Sequence, residues 1–176
     1  MNKLLNNVKD LKLEKHLLIV GFFAIFSLIY FYPLLQGKAL FQSDIAQFSG
    51  MAKQIVDHRE EFNEDPFWID NAFVGMPSYQ VAADYPFDMM DSLDKLIRFL
   101  PRPADYLFVY LISFYILLVS LGIRMKYAVF GALTFALSTY LIIILGVGHN
   151  TKALAIGYAP IIIAGVYKLL LSLIHI

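Results

Sequence analysis

The feature that most constrains this chain is the stretch 17–35, which contains no charged side chain. At 1.5 Å per residue, a helix of that length extends about 28 Å, enough to cross the hydrocarbon core of a bilayer. Unpaired backbone amides are too costly in hydrocarbon, so such a stretch is restricted to helix. Three further apolar runs follow at 105–123, 127–147 and 153–173, the last with Lys168 near its end, where a long stem can snorkel to the interface. Tyr30 and Tyr32 sit where an interfacial aromatic belt is expected. Composition agrees: 59% of residues are hydrophobic and only 16% charged, against about a quarter charged in soluble domains. Mean hydropathy is +0.64.

These runs predict an all-α, polytopic membrane protein of about four transmembrane helices with a large extracytoplasmic loop. Segment 1–16 reads as a cytoplasmic amphipathic piece through Leu4, Leu5, Val8, Leu11 and Leu13. Its Lys3, Lys9, Lys12 and Lys15 predict a cytoplasmic N-terminus. The first run is too long for a signal-peptide core and lacks a small-x-small cleavage site, so it reads as a retained anchor. Arg124 and Lys126 direct the second run inward, the third returns outward, and 148–152 forms a short outer turn. The ending Ser172-Leu173-Ile174-His175-Ile176 is abrupt and resembles translated adapter, so the natural chain is expected to continue differently. A net charge of zero offers no bulk argument for nucleic-acid binding, and the absence of cysteine excludes disulfides and thiolate chemistry.

The loop 36–104 is polar, more acidic than basic, and rich in aromatics. Ile45, Phe48, Met51, Ala52 and Ile55 recur at helical spacing. Ser43 is the expected N-cap of that helix, with Asp44 in its first turn, favoured there by the helix dipole. The segment 65–80 mixes turn formers with Phe67, Trp68, Phe73 and Tyr79, and predicts an ordered irregular loop. A second amphipathic segment at 89–100 aligns Met90, Leu93, Leu96 and Ile97, and Pro101 and Pro103 end it.

Three blocks carry a resemblance. Gln42-Ser43-Asp44-Ile45 with Gln47 and Ser49-Gly50-Met51, then Phe73-Val74-Gly75-Met76-Pro77-Ser78-Tyr79-Gln80, then Gly148-His149-Asn150-Thr151-Lys152, together resemble the YfhO-like bacterial membrane proteins. The likeness runs through most of 17–168, with Val74 and Phe48 as departures from the family pattern. It implies the N-terminal part of a larger protein of the GT-C glycosyltransferase class in the bacterial cytoplasmic membrane. Such enzymes take a polyprenyl-phosphate-linked sugar donor and, here, an envelope glycan acceptor. Their first outer loop supplies an acidic residue, and Asp44 is the matching position.

On that resemblance Asp44 is the catalytic candidate, either as the base for an acceptor hydroxyl or as ligand to a divalent metal. A favourable helix-start charge explains Asp44 equally simply. His149, Asn150 and Lys152 are candidates for gripping a lipid-linked phosphate, although a solvated turn would use the same residues. Tyr79 and Gln80, with Trp68 and Phe73, could line a sugar or lipid site, or anchor the loop. Gly75 reads as a positive-φ turn glycine, Asp57-His58 as a wet helix face, and Asp84, Asp88, Asp91 and Asp94 as solvent-facing acids, since they lack the EF-hand spacing. The alternative to an enzyme is a non-catalytic membrane protein: a transporter or flippase fragment, or an envelope scaffold. The scarcity of ionisable groups inside the apolar runs disfavours ion-coupled transport.

Overall fold

The computed structural model describes residues 2–82 and 89–174, with side chains for residues 13–82 and 90–173. Leu4, Leu5, Val8 and Leu11 of the amphipathic segment, and Asp84, Asp88 and His175, therefore lie outside the described side chains. The protein is helical, with one minimal two-stranded ribbon. The helices are α1 (Asn2–Tyr30), α2 (Ser43–Phe62), α3 (Met89–Ile97), α4 (Ala104–Ser120), α5 (Met125–Ala136), α6 (Thr139–Val147) and α7 (Asn150–Ile174).

Among the described residues two helices are long and apolar enough to cross a membrane: Leu13–Tyr30 within α1, and Asn150–Leu173 in α7. A third candidate is the pair α5 and α6, which bends by 48° at its break. The expected helix 127–147 is thus interrupted. Its break falls at Leu137 and Ser138, where α5 ends and Ser138 adopts extended backbone before α6. The boundaries near residue 16 and residue 35 also move: α1 runs through residue 16 without a break and stops at Tyr30. A 3-10 turn, Tyr32–Gln36, follows with Pro33 at its start, because proline cannot donate to the preceding turn.

The centre of the bundle is α4. Its residues Ala104 to Leu111 are all buried, as are Ser113, Tyr115 and Leu117. It packs on α1, α5 and α7. The faces it meets on α5 and α7 carry rows of small residues. Ala128, Ala132 and Ala136 recur every fourth residue on α5, all fully buried. On α7, Ala153, Gly157 and Ala164 form the matching face. A Cβ at Gly157 would lie 2.9 Å from Val109 Cγ1 and 3.3 Å from the Tyr110 ring. Small residues bring helix backbones close enough for dispersion contacts to accumulate, which is the main attraction between helices surrounded by lipid chains. On the other side His16 Nδ1 meets the Tyr115 hydroxyl at 2.7 Å, and Phe23 packs edge-on against the Tyr115 ring. The middle of α1 therefore lies beside the end of α4.

One cleft gathers the start of α2, the start of α4 and the α6–α7 junction at one end of the bundle. There α2, the ribbon and α3 are attached. Strands β1 (Trp68–Ile69) and β2 (Met76–Pro77) pair antiparallel. Ile55 of α2, Ile69 and Ala72 form a small separate core. Asn71 and the Asp70 and Asn71 amides bind Gln54, Gly50 and Met51 of α2. Gly75 takes φ +106, and Phe73 and Val74 also have positive φ.

Candidate functional site

Ser43 was expected to cap α2; instead Gln42 occupies the N-cap position, with no side-chain cap bond. The reason lies across the chain. Gln42 Nε2 donates to the Leu145 carbonyl at 2.6 Å and approaches Asn150 Oδ1 at 3.4 Å, while Ser43 Oγ faces the Val147 carbonyl at 3.5 Å. Both polar side chains are turned to carbonyls at the end of α6, which have no partner within their own helix.

Gly148 makes this seating possible. It closes α6 with φ +101, a left-handed conformation that favours glycine. A Cβ there would lie 2.8 Å from Gln42 Cβ and 3.3 Å from Ile45 Cγ1. The first and third sequence blocks therefore interlock: the glycine of one admits the glutamine of the other.

The lock brings Asp44 to His149. Their Oδ2 and Nδ1 atoms are 2.6 Å apart, with the side chains 31% and 51% exposed. An ionised carboxylate can only accept, so Nδ1 carries the proton. His149 Nε2 makes no hydrogen bond among the described residues. The pair opens onto a cleft of about 570 Å³ lined also by Ile45, Phe48, Arg102, Tyr106, Lys152 and Leu154.

The two cations of the cleft are held in a particular way. Lys152 Nζ sits 5.3 Å from the centre of the Tyr140 ring, and the Arg102 guanidinium 5.9 Å from that of Tyr106. Neither makes a salt bridge among the described residues. A ring face positions a cation without cancelling its charge, so both remain available to an anion. Sequence reasoning missed Arg102 and Tyr106. The only signal was an arginine between two prolines directly before an apolar run.

Of the residues singled out from the sequence, Asp44, His149, Asn150 and Lys152 line this one cleft. Tyr79 and Gln80 do not. They lie in a 3-10 turn, Ser78–Gln80, after the ribbon, and both are exposed. Among the described residues no group of three or more His, Asp or Glu side chains could hold a metal ion. A metal at Asp44 would need most of its donors from a bound ligand.

A second ionic cluster lies close by. Arg98, just past α3, pairs with Asp94 and reaches Asp105 of α4 at 3.0 Å. The Tyr158 hydroxyl of α7 donates to Asp94 Oδ1 at 2.6 Å. The expectation of a solvent-facing Asp94 is therefore corrected: it turns inward to join three helices. Arg98 holds its carboxyl below the usual aspartate range, against burial, with help from Tyr158. Asp105 is 2% exposed and also accepts the Tyr106 amide at 2.9 Å.

Comparison with protein-family models, with curated proteins and with solved structures finds no match to this chain.

Proposed function

We propose that the chain is part of a YfhO-like, GT-C-type membrane glycosyltransferase, and that the Asp44–His149 cleft is where a lipid-phosphate-linked sugar is transferred to an envelope acceptor. The observation that carries this reading is the arrangement of the cleft: a carboxylate–imidazole pair faces two cations that rest on tyrosine rings and make no salt bridge among the described residues. Such a site has a proton acceptor and a place for a phosphate.

In the proposed reaction the acceptor hydroxyl oxygen attacks the anomeric carbon. The bond from that carbon to the phosphate oxygen breaks, and the electron pair leaves with the lipid phosphate. The hydroxyl proton passes to the Asp44–His149 pair, in which Asp44 orients the ring and stabilises the imidazolium. Lys152 and Arg102 balance the charge that develops on the departing phosphate. The amino-terminal dipole of α7, which begins at Asn150, adds to the same potential. Asn150 and Gln42 position this junction, and Tyr79 and Gln80 are proposed to meet the sugar or acceptor from the loop. No step requires a metal.

The proposed topology has four crossings: α1, α4, the broken pair α5 and α6, and α7. The N-terminus is cytoplasmic and the cleft lies on the outer face of the bacterial cytoplasmic membrane. Two helices of spanning length, a bent pair of matching composition and a buried central α4 support this.

The test is Asp44→Asn, with sugar transfer from the lipid donor as the readout. Without the carboxylate that orients and stabilises the imidazolium, the general-base contribution of about 10²- to 10⁴-fold should be lost, with normal membrane expression. Unchanged transfer would remove Asp44 from the chemistry, and lipid or solute flux surviving in its place would favour the transporter reading.

A further inference from the structure

The β1–β2 hairpin places its most unusual backbone under its most exposed side chains. Phe73, Val74 and Gly75 are consecutive and all have positive φ, at +51, +66 and +106. Glycine adopts that conformation freely, but a β-branched valine there is a genuine outlier. The surroundings enforce it. The Gly75 amide donates to the Ala72 carbonyl at 2.8 Å, and the strand pair closes the two ends. Ile69 and Ala72 are buried with Ile55, and the Asn71 side chain donates to the Gly50 and Met51 carbonyls of α2. The side chains that result point outward: Phe73 is 80% exposed and Val74 fully so. Trp68 lies against the same turn, since a Cβ on Gly75 would meet its Nε1 at 2.7 Å, and it too is half exposed. Strain that is held firmly and yields little internal contact points to an external one.

We infer that Trp68, Phe73 and Val74 form an interfacial anchor that seats the hairpin, and with it α2, on the lipid surface beside the bundle. The tip is convex, so it is no pocket for a small ligand, which needs a concave site. Two aromatic rings and a valine offer on the order of 400–500 Å², well short of the roughly 800 Å² a side of a stable protein interface. The tip also carries no charge to desolvate. Asp70 is the only charged residue from Pro66 to Ala82, and its amide is turned to Gln54 of α2. Tryptophan and phenylalanine are the residues that settle at the boundary between headgroups and acyl chains. The tether brings them there. The hairpin is bonded to α2 at Gly50, Met51 and Gln54, a rise of about 12–18 Å from Gln42. Gln42 in turn is seated on the end of α6, next to the start of the candidate span Asn150–Leu173. Helix α2, which carries Asp44, is then held at its start by α6 and at its middle by the anchored hairpin. The inference rests on the candidate spans and not on sugar transfer, so it goes beyond the proposed reaction.

Trp68 is the only tryptophan of the chain, so intrinsic emission reports on the tip alone. The test places the full chain in phosphatidylcholine vesicles whose acyl chains are brominated either near the headgroup or near the methyl end. Strong quenching by the shallow bromines and weaker quenching by the deep ones is expected. Phe73→Ser combined with Val74→Ser, at exposed positions, should leave the melting temperature unchanged and lose most of the shallow quenching. Val74→Gly relieves the left-handed valine, so it should keep or raise the melting temperature while weakening the quenching, and it decides the matter if the double variant melts lower. Emission that neither set of bromines quenches would overturn the inference, and a blue-shifted emission of that kind would place the ring against protein instead. Shallow quenching that is equal in the parent chain and in these variants would also overturn it. Anchoring as described without any sugar transfer would retain this inference and refute only the proposed reaction.

Discussion

Two ionic clusters lie at the same end of this bundle, and they are built on opposite plans. Around Arg98 every charge is answered. The guanidinium meets Asp94 and Asp105, Tyr158 donates to Asp94, the Tyr106 amide donates to Asp105, and the Arg98 side chain is only 11% exposed. Around Asp44 the charges are answered in part. His149 engages one carboxylate oxygen, its own Nε2 is left over, and the two cations rest on tyrosine rings. A saturated network ties helices together and has nothing left to offer a ligand. An unsaturated, half-exposed one has donors, acceptors and net charge to spare. The contrast separates a structural clasp from a candidate site at one end of the bundle.

The comparison can be broken first at the clasp. Arg98→Ala would leave the buried Asp105 without its salt-bridge partner, a change that typically costs about 3–5 kcal/mol. A large fall in detergent melting temperature is expected, with α3 released from α7. If the melting temperature instead held while sugar transfer vanished, the assignments of the two clusters would have to be exchanged.

A smaller effect is expected at the junction between the sequence blocks. Gly148→Ala places a Cβ against Gln42 and forces a left-handed residue, a strain and overpacking cost of about 1–3 kcal/mol. The Asp44–His149 contact should loosen with it, so transfer should fall by more than the stability loss explains. A variant that melts lower yet transfers normally would show that the interlock serves the fold alone.

The smallest effect concerns pH. Arg98 lowers the Asp94 pKa in the folded state. The stabilisation from ionised Asp94 is therefore present in full above the ordinary aspartate value of about 3.9, and is lost only as pH falls through the depressed value. Between pH 8 and pH 5 Asp94 itself should contribute no change in melting temperature, and Asp94→Asn should flatten the decline seen below pH 4. A loss of stability near pH 6 that Asp94→Asn abolishes would mean that the Asp94 carboxyl is not held by Arg98.

Much of the helical character was legible in the sequence, because uncharged runs of this length have few other options. The break at Leu137 and Ser138 was not. Neither residue is a strong helix breaker, and hydropathy averages over such a change of direction. The alanine and glycine faces of α5 and α7 were overlooked because they read as merely apolar, although their fourfold spacing is the signal for close helix contact. At the site, the three sequence blocks pointed to Asp44 and to His149, Asn150 and Lys152. That the first and third blocks touch depends on Gly148 and Gln42, a contact between residues more than a hundred positions apart. Ser43 had the composition of a cap, but the open carbonyls of α6 competed for it. Asp94 looked like one acid in a polar row until α4 and α7 supplied its partners.

The central claim is that Asp44 and His149 act as one unit, and a double-mutant cycle on sugar transfer tests it most directly. Residues that act together are strongly non-additive, so Asp44→Asn, His149→Ala and the double variant should all lose activity to a similar degree. Losses that multiply, with the double variant as slow as the product of the two singles, would mean that the two residues act independently and would contradict the account.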